Sequence, residues 1–390
     1  MLTSTLPRFA GDMQANFVGE QAAAWKAARP DDDLTILAPH DVAAPELELQ
    51  GGVRVQRFRY LWPAGAQRLA YPAIMPNLRR NPWLALQLPP YLAAQYRAAR
   101  GQLRQRATQL VYAHWVIPQG LVAWQLHRAT GVPYVLQNHS SDLAVFERLG
   151  GVGRALARAA LRDAAHFFCV NAAQRDAALA LFTGAEQAAF ANRCTVLPMG
   201  IADLPAARDS GGDWDIATIG RLSRKKGLHL LIAAAERLAR RGIRPRIAIA
   251  GDGEERAALQ ALVRDADVHF PGFLTGAEKS RFLASSRAFA FPALAADGDV
   301  EGLPVALLEG LARGRPVLAS RDTNVAMLPE WQAIRDGLVY VENPADLPAL
   351  EAGLERLLQL QPAPQVANAV GRYRWDRLIG EYLAVIERVV

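Results

Sequence analysis

Between residues 110 and 320, short runs of β-branched and aromatic residues recur, each separated from the next by a stretch with helical spacing. The runs are "LVYAHWV" (110–116), "VPYVLQNH" (132–139), "AAHFFCVN" (164–171) and "CTVLPMG" (194–200), then "DIATIGR" (215–221), "RIAIAGDG" (246–253), "DVHFPGF" (267–273), "AFAFPAL" (288–294) and "PVLAS" (316–320). Ala-rich amphipathic segments such as 151–163 and 172–182 lie between them. Apolar strands alternating with helices belong to parallel sheets covered on both faces. The pattern therefore predicts an α/β chain of two Rossmann-like, doubly wound parallel-sheet domains. The aperiodic stretch "GIADLPAARDSGGDWD" (200–215) marks the join. The expected division is 1–200, 201–370, and a C-terminal helix in 371–390 that packs back on the first domain. Only "MLTST" precedes Pro7, so the first strand is expected to be short, and whether the N-terminus is complete stays open. In such sheets ligands sit beyond the carboxyl ends of the strands. With two sheets, the expected site is the cleft between domains.

Charge is divided unevenly. Residues 1–200 carry 20 basic and 13 acidic side chains, residues 201–390 carry 24 and 25. The first half is read as facing an anionic partner, such as a phospholipid surface or a lipid diphosphate, or as an ordinary solvated face; no nucleic acid is expected. Within it, 75–106 sets Trp83, Leu84, Leu86, Leu88, Tyr91 and Leu92 between basic clusters. A basic segment with an apolar face can lie on an anionic membrane, and buried packing is the alternative. The prolines at 89–90 are expected to break the segment into two helices. No run of about 18 uncharged apolar residues exists, and the first residues lack the order of a signal peptide. The two cysteines, Cys169 and Cys194, sit in apolar runs and read as buried thiols in a reducing compartment. The expected location is the cytoplasm, peripheral on the inner face of its membrane. Only four basic residues are lysines: Lys26, Lys225, Lys226 and Lys279.

Two motifs can carry chemistry. In "DIATIGRLSRKKGLHLL" (215–231) a strand ends at Ile219-Gly220, Arg221 follows, and Lys226-Gly227 opens a helix. A guanidinium and an ammonium beside a helix N-terminus suit a diphosphate; a basic surface loop is the bland reading. In "DGDVEGLPVALLEGLARGRPVLAS" (297–320), Glu301 and Gly302 follow a strand, Pro304 is expected at the first helical position, and Gly314 ends the helix. Glu309 lies about two turns along, among apolar neighbours, so its carboxylate needs a partner.

The pairing of "GRLSRKKG" with "EGLPVALLE" resembles the bacterial family 4 retaining glycosyltransferases of GT-B fold, over most of the chain and most strongly over 195–320. "VLPMGIAD" (196–203), with Met199 where Asn is usual, "IAGDGEE" (249–255) and "HFPGFL" (269–274) also fit. The resemblance implies a hexosyltransferase that moves a sugar from a nucleotide-diphosphate donor to an acceptor hydroxyl (glycan, lipid-linked or small molecule). It also implies retention of configuration, and a role in polysaccharide biosynthesis is expected. Arg221 and Lys226 would bind the diphosphate and stabilise the leaving group, a job cations can do without a metal, so no cofactor is expected. Glu301 would contact sugar hydroxyls, Gly302 and Leu303 the phosphates, and Glu309 the ribose. Gly220 belongs to the donor motif, Gly272 lies near the base, and Gly11 in "RFAGDM" stands where the family has a Gly pair. In "QNHSSDL" (137–143) His139 would sit near the reacting sugar, with Ser140 where the family has Gly. His114 and Trp115 follow a strand and are read either as acceptor-side lining or as packed aromatics.

Asp213/Asp215, Asp265/Asp267 and Asp297/Asp299 form the triplets a metal-dependent transferase would use, but the first precedes a strand and none has a partner. "GDGEER" (251–256) lacks the third glycine of a dinucleotide fingerprint. A GT-B nucleotide-sugar epimerase or hydrolase, or a non-catalytic nucleotide-sugar-binding protein, would share the donor motif.

Overall fold

A computed structural model describes residues 1–9, 11, 12, 14, 16–139, 143, 150–202, 212–296 and 301–390. They form two compact units, Met1–Met199 with Trp375–Val390, and Gly200–Arg374.

The first unit holds strands β1 (Thr35–Pro39), β2 (Leu47–Gln50), β3 (Val53–Phe58), β4 (Val111–His114), β5 (Tyr134–Gln137), β6 (His166–Cys169) and β7 (Cys194–Val196). They are ordered β2-β3-β1 and β4-β5-β6-β7. The first residues of the chain join the two sets: Leu2 pairs in parallel with Leu37 of β1 and Ala113 of β4. Its N–H donates to the Tyr112 carbonyl at 2.7 Å, and the His114 N–H donates back to the Leu2 carbonyl at 3.0 Å. Three residues thus serve as a central strand. One expectation needs correction, because β2 is antiparallel to β3. Gly51 and Gly52 join them with φ of +54° and +82°. Two positive φ values give the mirror-image turn that closes a two-residue hairpin, which can only be antiparallel.

The proline expectation also changes. Pro89 and Pro90 lie in the first turn of the helix Leu88–Gln105, where backbone N–H groups lack an intrahelical acceptor anyway. The break falls earlier, at Asn81 and the 3₁₀ turn Pro82–Gln87 that follows the helix Ile74–Arg80.

The C-terminal helix Trp375–Ile386 belongs to this unit and packs on the helix Phe17–Ala28. A buried polar chain fixes it. The Gln137 amide donates to the Tyr382 hydroxyl at 2.8 Å, and its oxygen accepts from the Tyr112 hydroxyl at 2.5 Å. Tyr382 donates in turn to the carbonyls of Leu197 and Pro198. Each buried polar atom here therefore has a partner, the condition for burying it cheaply. Cys169 and Cys194 are free thiols on β6 and β7.

The second unit is one sheet of β8 (Trp214–Ile219), β9 (Ile247–Ala250), β10 (Val268–Gly272), β11 (Ser286–Phe291), β12 (Val317–Ser320) and β13 (Leu338–Val341). Its order is β10-β9-β8-β11-β12-β13, with every neighbouring pair parallel. Ile216, Ile247, Ile249, Leu318 and Val339 pack with Leu231 and Leu238 of the helix Leu228–Arg240. No helix among the described residues is long and apolar enough to cross a membrane.

Glycine at a helix start and at a strand end makes the site possible. Gly227 has φ +66°, and a Cβ on it would lie 1.8 Å from the Pro292 carbonyl oxygen. A Cβ on Gly251 would lie equally close, 1.8 Å, to the carbonyl of Gly220. Gly227→Ala is expected to destabilise the second unit by about 2–4 kcal/mol, combining backbone strain with overpacking. A lowered urea midpoint at unchanged m would report it; an unaltered midpoint would mean that the loop shifts freely.

Candidate functional site

In the second unit the carboxyl ends of β8 and β11 converge. β8 delivers Gly220 and Arg221, and the 3₁₀ turn Arg224–Lys226 leads through Gly227 into the helix Leu228–Arg240. The Leu294 N–H donates to the Lys225 carbonyl at 2.9 Å, tying the basic turn to the chain after β11. Gly220, Arg221, Lys226, Phe291 and Pro304 line one pocket here.

Glu301 is buried, and its Oε2 accepts from Lys226 Nζ at 2.9 Å. Lys225 Nζ lies 3.3 Å from Oε1, close enough for an ion pair though without the alignment of a hydrogen bond. Burial alone would push this carboxyl up; Lys226, then Lys225, more than reverse it and hold the group down at about 2. Arg221 meets Glu254 through Nε at 3.1 Å and Nη2 at 3.0 Å, both side chains partly exposed.

Asn324 fixes the backbone beside Glu301. Its Nδ2 donates to the carbonyls of Glu301 and Gly302 at 2.8 and 2.9 Å, from a residue with φ +59°. Leu303 is half-buried. Pro304 caps the helix Val305–Leu311, one position before the expected one, and the helix stops at Leu311, ahead of Gly314, which turns the chain with φ +65°. Glu309, on that helix, is only 1% exposed. Its partner is Lys279, whose Nζ donates to Oε1 at 2.7 Å. Gly272 ends β10 with φ +88° and accepts from the Gly251 N–H at 2.7 Å.

The first unit carries a second cluster. β4 and β5 run parallel with His114 opposite Gln137, so residues just past the strand ends come together. His114 Nδ1 and His139 Nε2 lie 3.0 Å apart. His114 is wholly buried, with no hydrogen-bond partner at Nε2 among the described residues. Burial lowers His139 to about 3; burial, then His139, hold His114 well below its ordinary value. At neutral pH both rings are neutral, one donating and the other accepting. Trp115, with φ +70°, sets its ring 4.7 Å from that of His139 and 5.6 Å from that of Phe17. His114 thus backs His139 from inside the core.

Gly11 has φ +84° in a loop pinned by Asp12, which accepts from the Arg8 backbone N–H and guanidinium, each at 2.8 Å. Ser140, Asp297 and Asp299 lie outside the described residues. Asp215 accepts from the Arg246 N–H at 2.9 Å, and Asp267 contacts His269 at 2.6 Å. Among the described residues no three His, Cys, Asp or Glu side chains converge.

Lys279, Glu254 and Asn324 were missed from sequence. The scarcity of lysine was a usable signal for the first. The others have only spatial logic.

Known proteins resemble this chain in sequence and in fold. Residues 14–200 match the glycosyl transferase 4-like domain, and residues 214–360 match the glycosyl transferases group 1. The putative colanic acid biosynthesis glycosyltransferase WcaL of Escherichia coli K12 is 34% identical over 41% of this chain and 39% of its own length. The chain therefore matches about two fifths of that relative. A sucrose-phosphate synthase from Thermosynechococcus elongatus superposes with TM-score 0.70 at 18% identity, over 96% of this chain and 92% of its own. HepE from Anabaena, solved with UDP and glucose, superposes with TM-score 0.66 at 16% identity, over 99% and 98%. Two glycosyltransferase domain models thus match in tandem, one on each Rossmann-like unit, and the solved structures share the GT-B fold of this chain.

Proposed function

We propose that this protein transfers a sugar from a nucleoside-diphosphate donor to an acceptor hydroxyl, with retention of configuration and without a metal. The observation that carries the reading is the pair of Lys225 and Lys226 on buried Glu301, with Arg221 lining the same pocket as Lys226. Cleaving a sugar–diphosphate bond builds negative charge on the departing group. Fixed cations there favour the transition state over the bound donor, which is where rate is gained. In this reading Lys226 and Arg221 hold the diphosphate, Arg221 exchanging Glu254 for phosphate oxygens. Glu301, ionised and held by two lysines, accepts from sugar hydroxyls, Gly302 and Leu303 offer backbone N–H groups to phosphate, and Glu309 accepts from the ribose. His139 is the first unit's contribution near the reacting sugar, with His114 and Trp115 behind it. The solved HepE with UDP and glucose supports a donor of this class.

The test is a panel of UDP-, GDP-, ADP- and dTDP-sugars read by thermal shift. A donor at 100 times its Kd stabilises by about 2.7 kcal/mol. Product mass is then read with and without acceptor hydroxyls. Transfer to the acceptor supports the reading; free sugar or an isomerised donor regardless of acceptor means a hydrolase or an epimerase. Binding without release of nucleoside diphosphate means a non-catalytic protein. Inversion at the anomeric carbon, or activity abolished by EDTA, would remove retention or metal independence.

The first unit is further proposed to rest on an anionic membrane at the cytoplasmic face. From Arg54 to Arg128 the sequence has eleven arginines and no acidic residue. Exposed Trp62 and Trp83 lie within that stretch, at 85% and 79% accessibility. Basic residues near such a surface contribute about 1 kcal/mol each. Arg79→Glu with Arg80→Glu is therefore expected to weaken binding to anionic vesicles at least tenfold. Vesicle binding that ignores both the substitutions and salt would end this reading.

A further inference from the structure

We propose that Lys279 is a positioning residue of the nucleotide-ribose subsite, pairing one oxygen of Glu309 and leaving the other to read ribose hydroxyls. The inference rests on the donor reading above and on Glu309 as its ribose contact.

The argument begins with the rarity of lysine. The chain has 44 basic residues, of which only four are lysines. Three of those four place their ammonium on Glu301 or Glu309: Lys225 at 3.3 Å, Lys226 at 2.9 Å and Lys279 at 2.7 Å. The fourth, Lys26, donates to the carbonyls of Pro30 and Asp32. Elsewhere the ion pairs of the described residues mostly use arginine, and Arg8 takes both oxygens of Asp12.

The chemistry of the two cations explains the choice. A guanidinium fork matches the spacing of a carboxylate and occupies both oxygens. An ammonium is a point donor, able to satisfy one oxygen and leave the second. At Glu309 the geometry follows the second pattern. Oε1 accepts from Lys279, while Oε2 has no hydrogen-bond partner among the described residues, although the carboxylate is almost fully buried. A buried acceptor in that state asks for a donor, and a sugar hydroxyl supplies one. The lysine side chain itself keeps 30% exposure against 2% for Glu309. The pair therefore runs from the solvent edge of the helix Gly276–Ala284 to the interior face of the helix Val305–Leu311.

The position has a specificity consequence. A site built to hydrogen-bond hydroxyls rejects analogues lacking them, because its buried polar group is left unpaired. Lys279→Arg keeps the charge and should keep the fold, but lets the cation take both oxygens. Affinities for UDP, ADP and GDP and for their 2′,3′-dideoxy counterparts would be measured by titration calorimetry, on the full chain. The native protein is expected to bind one ribonucleotide at least tenfold tighter than its dideoxy form. Lys279→Arg should lose about tenfold for the ribonucleotide, leave the dideoxy affinity unchanged, and so erase the ratio. Lys279→Met, which removes the donor, should erase it too and serves if the arginine variant does not fold. Native affinity and native discrimination in these variants would overturn the assignment. Native binding that does not distinguish ribose from dideoxyribose, or binding of dTDP alone, would overturn it while sparing the donor reading; binding neither dTDP nor any of the three ribonucleotides would overturn both.

Discussion

Lys226→Met is expected to lower kcat about 100- to 1,000-fold with the donor that stabilises the protein, and to change KM far less. The direction follows from when the charge appears. In the bound donor the diphosphate is already anionic, so Lys226 contributes to binding in ground and transition states alike. As the sugar departs, further negative charge collects on the bridging oxygen, and only this increment raises kcat. Removing one fixed donor from such a position costs about 3–4 kcal/mol in other active sites. Here the loss has a second component, because Lys226 is the larger of the two influences that keep buried Glu301 ionised. Without it, Lys225 alone must offset the burial of that carboxylate. Lys26→Met is the matched control, since that lysine meets only backbone carbonyls in the first unit. A fall of less than tenfold for Lys226→Met, with the fold intact, would remove this lysine from the leaving-group role.

Which parts of this arrangement could be read from sequence depends on how local their causes are. β9 and β11 announce themselves as apolar runs closed by Gly251 and Pro292, β8 by the Gly220 that ends it, and β12 by the Pro316 that opens it. β2 does not. Its "LELQ" is mostly exposed at a sheet edge, so no apolar run marks it, and the Gly-Gly turn was the readable clue. β13, "LVYV", is only four residues long and follows a series of short turns. The parallel role of Leu2 needed two partners, 35 and 111 residues away, that no local pattern names.

The site divides along the same line. Arg221 and Lys226 share one strand–turn–helix segment, and Glu301 and Glu309 another, so each pair could be seen together. The contact between Lys226 and Glu301 spans 75 residues, that between Lys279 and Glu309 spans 30, and Arg221 reaches Glu254 across 33. Those contacts depend on strand order, since β8 lies between β9 and β11 in the sheet. The apolar surroundings of Glu309 demanded a partner without naming it. The pairing of His114 with His139 was more accessible, because consecutive parallel strands bring the residues after them side by side.

That histidine pair leads to the second large effect, a loss of stability in mild acid. Both rings are neutral in the folded unit, with His139 held at about 3 and His114 well below its ordinary value. In the unfolded chain each would titrate near 6.5. A depressed folded value means stability that is complete above about 6.5 and is lost as pH falls toward the folded value. Each ring costs about 1.4 kcal/mol per pH unit in that window. Between pH 7 and 5 the pair therefore removes about 4 kcal/mol from the opening free energy of the first unit. Hydrogen exchange at the β4 and β5 amides would read it. His166, lowered to about 4 by burial and by Arg388 and Arg193, adds its own slope, so the informative quantity is a difference between proteins. His139→Gln should lose about half of the pair's acid sensitivity, and His114→Gln with His139→Gln nearly all of it, with the remaining slope set by His166, His40 and the buried Met1 amine, each held below its ordinary value. Glu301 does not interfere. Its depressed carboxyl gives stability present above about 4.5 and lost only toward 2, below the window in which the imidazoles act. An identical pH slope in the native and doubly substituted proteins would mean that both rings reach solvent and protonate without opening the fold.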